Sequence, residues 1–110
     1  MSTDRIRIAI ADDHPVVRRG LCAFLASQPG FEVVAECSDG AALLAALRDT
    51  AVDVVLLDLL MPDGGASLVR RLGEIAPDAH LLVLTSSEDP RLLFDVLQAG
   101  ARSALLKDST

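Results

Sequence analysis

The sequence contains no tryptophan and no tyrosine, and three phenylalanines are its whole aromatic content. That leaves little to stack against a flavin or a similar extended ring. Cysteine is scarce as well: Cys22 and Cys37 lack the close spacing of a metal-binding pair. They are expected to be two small buried side chains in a reducing compartment. Basic residues are the scarcer sign, ten against sixteen acidic, for a net charge of −6. This is the wrong sign for gripping a phosphate backbone, so no direct binding of nucleic acid is expected. No apolar run approaches the roughly 20 residues of a membrane span. The opening MSTDRIRIAI places acid and base ahead of any apolar core, unlike a secretory signal. The expected location is the cytoplasm, with no membrane partner. Lysine is the rarest charge of all, since nine of the ten basic residues are arginine and only Lys107 is lysine.

What is present is an alternation of two patterns over 110 residues, the length of one domain. The run Val52 to Met61, VDVVLLDLLM, is nearly continuous branched apolar sequence, as in a strand buried on both faces of a parallel sheet. Burying a lone carboxylate inside such a strand is costly, so Asp58 belongs at its carboxyl end. Other strands are expected over RIRIAIAD, ending on Asp12 and Asp13, and over FEVVA at Phe31 to Ala35, with Glu36 to Gly40 as an exit turn. HLLVL at His80 to Leu84, ending on Thr85, and Ser103 to Leu106, ending on Lys107, complete the set.

Helical spacing links them. Pro15 suits a first helical turn and is followed by Val17, Leu21, Phe24 and Leu25. Further helices run over Ala41 to Leu47, over Leu68 to Ile75 ahead of Pro77, and from Asp89-Pro90 to Gly100. Strict alternation calls for right-handed crossovers and a flavodoxin-like, doubly wound α/β domain with five parallel strands in the order 2-1-3-4-5. In that order the strand ends carrying Asp12-Asp13, Asp58, Thr85 and Lys107 are neighbours on one rim.

Three carboxylates crowded together must be neutralised by a proton or a cation, and an all-oxygen set suits Mg²⁺. His14 is the nearest histidine, and its place before Pro15 is expected to make it a helix cap or a solvated side chain rather than a ligand. A carboxylate can attack a phosphoryl group to form an acyl phosphate, provided cations and hydrogen-bond donors surround the transferring oxygens. Each element has a plainer role: Asp-Asp before a helix is usually a cap, Thr85 a turn residue and Lys107 a solvated tip. Four such coincidences on adjacent strands favour the chemical reading.

Asp12-Asp13, LLDLLMP around Asp58, VLTSS around Thr85 and GARSALLKD around Lys107 together resemble the receiver domain of two-component response regulators. The spacing is most similar to the subclass whose receivers precede a LuxR-type helix-turn-helix. The resemblance spans essentially the whole sequence. It implies that Asp58 accepts a phosphoryl group from a sensor histidine kinase. It further implies that Asp12, Asp13, Asp58 and the backbone carbonyl of Leu60 hold Mg²⁺, and that Thr85 and Lys107 contact the phosphoryl oxygens. On this resemblance the chain is not an enzyme in the ordinary sense but a phosphoacceptor that assists its own phosphorylation and dephosphorylation. Thr85 moving toward the phosphoryl group would shift a two-state equilibrium at the fourth helix and fifth strand.

Three features depart from the family pattern. Ala104 stands where the family usually has Tyr or Phe, three residues before the lysine. The turn after Met61-Pro62 is one residue shorter, with Gly64-Gly65 available to absorb the difference. The family continues past the lysine into a fifth helix, whereas the sequence closes at Thr110. Losing four large apolar side chains with that helix would remove a gross ~6 to 12 kcal/mol, as much as the net stability of a domain. The expectation is a fragmentary or engineered chain that forms a dimer or higher oligomer over the bared face, with the DNA-binding output elsewhere.

Competing functions fit less well. A degenerate receiver acting only as an interaction module is compatible with Ala104, but the acidic set is intact. An aspartyl phosphatase of the haloacid-dehalogenase kind needs a second Asp two residues after the nucleophile as general acid, and Leu60 stands there. A flavodoxin-type cofactor binder needs a Ser/Thr/Gly phosphate loop after the first strand, where Asp-Asp-His-Pro is found.

Overall fold

Branched apolar residues in short runs, each closed by a polar residue, form five parallel strands in the computed structural model of the chain. The structure describes residues 5–58, 61, 63–85, 90–100 and 103–106. The strands are β1 (Ile6–Ala11), β2 (Phe31–Cys37), β3 (Val54–Asp58), β4 (His80–Thr85) and β5 (Ser103–Leu106). The helices between them are α1 (Pro15–Ala26), α2 (Gly40–Asp49), α3 (Ala66–Ile75) and α4 (Pro90–Ala99). The sheet order is β2-β1-β3-β4-β5, as the alternation requires. Because each crossover is right-handed, the step from β1 back to β2 sends α1 to one face, and the forward steps send α2, α3 and α4 to the other.

The packed core lies on the α2 and α3 face. Ala9, Ala11, Val55, Leu57, Leu81 and Val83, at alternate positions of the central strands, meet Leu43, Leu44 and Leu47 of α2 and Leu68, Val69 and Leu72 of α3. Helix α2 starts with a true cap, Asp39, whose side chain accepts the Ala42 N–H at 2.7 Å. Helix α4 ends against Gly100, whose φ of 125° lies in the left-handed region where a Cβ is strained.

The second strand differs from its expected extent. It does not turn out at Glu36 but continues to Cys37, because Ile10 and Ala11 of β1 pair with Glu36 and Cys37 and the Asp12 N–H donates to the Cys37 carbonyl at 3.0 Å. A bulge explains how a polar residue fits there. Ile8 pairs with Val33 and Ala9 with Ala35, so Val34 is an extra residue and the alternation shifts. Ala35 and Cys37 then join the core, while Glu36 reaches the guanidinium groups of Arg18 and Arg19. The cysteines also divide: Cys37 is buried as expected, but Cys22 is only half-buried, because α1 buries none of its residues fully.

Candidate functional site

Parallel register brings the strand ends to one rim. Ala11 pairs with Leu57, Asp58 with Leu84 and Thr85 with Leu106, so the carboxyl ends of β1, β3, β4 and β5 stand side by side. Asp12 and Asp58 are only 1% and 2% exposed, the only two buried charged residues among those described. Asp13, one step further into the β1–α1 connection, is half-buried. Carboxylate oxygens of all three lie within 4.8 Å of one another and of the His14 ring. Of the other expected site residues, Thr85 is placed at the end of β4 by its backbone, and Leu60 and Lys107 lie outside the described residues.

His14 meets its expectation in part, since its side chain is solvated at 62% exposure. It occupies the position before Pro15, but its side chain makes no capping hydrogen bond to α1. The ring instead turns toward the acids, with Nδ1 3.1 Å from Asp12 Oδ1, 3.1 Å from Asp13 Oδ1 and 3.5 Å from Asp58 Oδ2. Asp12 Oδ1 accepts the His14 N–H at 2.8 Å, folding the chain back on itself ahead of the helix, and β3 brings Asp58 alongside the ring. The only signal in the sequence was adjacency to Asp12-Asp13, which does not specify the direction of the ring.

Two further contacts hold the rim. Arg18 reaches back from α1 to donate to the Asp12 carbonyl at 2.8 Å and, through Nε, to Glu36 at 2.9 Å. The Arg18 hydrogen bond holds the Glu36 carboxyl below the usual carboxylate range. On the other side, the turn after β3 is tied to α2. Asp63 accepts the Gly40 N–H at 2.8 Å and the Ala41 N–H at 3.1 Å, satisfying two donors that a helix start leaves open. That turn closes through Gly65, whose φ of 99° and ψ of −170° suit glycine alone.

Chemically, the rim is a set of hard oxygen donors, two of them sunk among apolar side chains. Asp13 Oδ1 is shielded from solvent and, apart from the His14 ring 3.1 Å away, has no polar partner among the described residues. A buried anionic oxygen left in that state is what a cation would satisfy, so the residues fit a divalent ion.

The comparisons agree with this geometry. The family model described as the response regulator receiver domain matches residues 8–110. The uncharacterized transcriptional regulatory protein YhcZ of Bacillus subtilis (strain 168) is 42% identical over 105 residues, covering 94% of this chain and 49% of that protein. The oxygen regulatory protein NreC of Staphylococcus epidermidis is 41% identical over 106 residues, again 94% and 49%. The chain thus spans about half the length of these regulators. Among solved structures, the signal receiver domain of the response regulator NarL from Mycobacterium tuberculosis superposes with a TM-score of 0.90 at 34% identity, covering 97% of this chain and 87% of that one. The isolated receiver domain of RcsB from Salmonella enterica serovar Typhimurium, solved with phosphomimetic BeF₃⁻, gives 0.89 at 30% identity, covering 97% and 80%. With a family model matched over nearly its whole length and the acidic rim in place, this chain belongs to the response regulator receiver domain family.

Proposed function

We propose that the chain is a phosphorylation-switched receiver in which Asp58 is the phosphoacceptor. The observation that carries this reading is the burial of Asp58 at the end of β3, with Asp12 and Asp13 beside it at the mouth of the sheet. An Asp58 carboxylate oxygen attacks the phosphorus of a phosphohistidine on a sensor kinase. The P–N bond breaks, the imidazole leaves, and an acyl phosphate remains on Asp58.

Asp12, Asp13, Asp58 and the Leu60 carbonyl would hold Mg²⁺, which when bound offsets the charge of the carboxylates and of the incoming phosphoryl oxygens. Arg18 keeps the Asp12 backbone in place, and Asp63 anchors the turn that follows Asp58. Thr85 donates its hydroxyl and Lys107 its ammonium to the phosphoryl oxygens. The domain has no turnover of its own beyond gaining and losing this group. In the whole protein it controls a transcriptional output in the cytoplasm, a reading supported by relatives named as transcriptional regulatory proteins. The exposed apolar residues of α1, Val16, Val17 and Phe24, support self-association of the chain, which light scattering at rising concentration would detect.

Intact mass after incubation with acetyl phosphate tests the reading. A Mg²⁺-dependent phosphoryl adduct that disappears in Asp58→Ala is expected. No adduct on a folded, cation-binding sample would favour the second reading, an interaction module independent of phosphorylation. Ala104, in register with Val83 at the position where the family pattern has an aromatic ring, is the feature that favours that alternative.

A further inference from the structure

Among the described residues, the one nitrogen donor in the acidic cluster is His14. We propose that His14 Nδ1 is a ligand to the divalent cation of this site and makes it select borderline cations, Mn²⁺, Co²⁺ and Zn²⁺, over Mg²⁺. The proposal rests on the reading that the rim holds a cation.

Adjacent donors of an octahedral ion with bonds of ~2.1 Å stand ~3.0 Å apart, and opposite donors ~4.2 Å. The separations of Nδ1 from the three aspartates, 3.1, 3.1 and 3.5 Å, are close to those of adjacent positions in such a shell, and the 4.8 Å bound on the whole group lies somewhat above its opposite-donor distance, so the carboxylates would draw in on an ion. The ring is held there by the chain itself. The His14 N–H bound to Asp12 and the fixed φ of Pro15 direct the side chain inward before any ion arrives. The side chain is 62% exposed, so it closes the rim from the solvent side and leaves the aspartates as the inner wall. Imidazole suits Mn²⁺ weakly and Co²⁺ and Zn²⁺ strongly, while Mg²⁺ prefers oxygen and retains its waters.

The test compares the chain with His14→Ala and Asp13→Asn, each checked for folding by circular dichroism. Isothermal titration with Mg²⁺, Mn²⁺, Co²⁺ and Zn²⁺ is paired with the visible absorption of bound Co²⁺. His14→Ala is expected to weaken Co²⁺ and Zn²⁺ by about tenfold or more, to leave Mg²⁺ within about twofold, and to change the Co²⁺ spectrum. An unchanged Co²⁺ affinity, or an equal loss for all four ions, overturns the proposal. So does tighter binding of all four, which would mean that the ring blocks the site rather than completing it. If Asp13→Asn abolishes binding while His14→Ala does not matter, only the role of His14 fails. If the unmodified chain binds none of the ions, the underlying reading of the rim fails with it.

Discussion

The two faces of the sheet carry similar apolar patterns and bury them to different degrees. On the α2 and α3 side, Leu43, Val69, Val83 and Leu57 are sealed into one core. On the α1 side, Ile8 and Ile10 are buried, but Leu56, Leu82 and Leu84 are half-buried and α1 leaves Val16 86% and Phe24 63% exposed. Periodicity therefore tells which side of a helix turns inward, not how much cover it meets there. Asp58 follows Leu57 of the covered core along β3, while the open face begins with the loop that carries Asp12, Asp13 and His14.

The sharpest way to break this contrast is to truncate one large side chain on each face. Leu43→Ala should cost ~2 to 5 kcal/mol in urea unfolding, whereas Phe24→Ala should stay within ~0.5 kcal/mol. Equal costs would mean that α1 is as fully packed as α2. Glycines make the same comparison at smaller scale. A Cβ on Gly40 would stand 2.9 Å from Leu68 Cδ2 and 3.1 Å from the Asp63 carboxylate, whereas one on Gly20 of α1 meets nothing within 4 Å. Gly40→Ala should therefore destabilise by ~1 to 3 kcal/mol, and Gly20→Ala should stabilise by ~0.5 to 1 kcal/mol through helix propensity. Thermal melts that moved in the same direction would contradict this.

Asp63→Ala removes both bonds to the start of α2 and should cost ~1 to 2 kcal/mol. Hydrogen exchange would show whether the Gly40 and Ala41 amides lose protection selectively, as the geometry demands. The smallest effect concerns the thiols. Burial pushes up the pKa of Cys37, and burial followed by the Glu36 charge pushes up that of Cys22. The thiolate is the nucleophile, so both should react with a thiol reagent near pH 8 more slowly than a free cysteine, approaching its rate only at higher pH. Cys37, inside the covered core, should be the slower of the two, and a faster Cys37 would place the looser face on the wrong side.

The sequence by itself determined the order of elements, the parallel sheet and the meeting of Asp12, Asp13 and Asp58 at one rim. Strand runs that end on a carboxylate, alternating with helical spacing, admit few other arrangements, because a buried charge must leave the strand where the sheet opens. It also marked the turn after Met61 as one that needs glycine, where Gly65 adopts a positive φ. Only the tertiary structure decided the extent of β2, since the bulge at Val34 depends on pairing with a distant strand and leaves no trace in local alternation. The direction of the His14 ring was likewise decided in three dimensions. A side chain at a helix start can turn toward the helix or away from it, and the carboxylate of Asp58, brought in by β3, makes inward the favourable choice. The unequal cover on the two faces has the same origin: burial belongs to what packs against a residue, not to the residue itself.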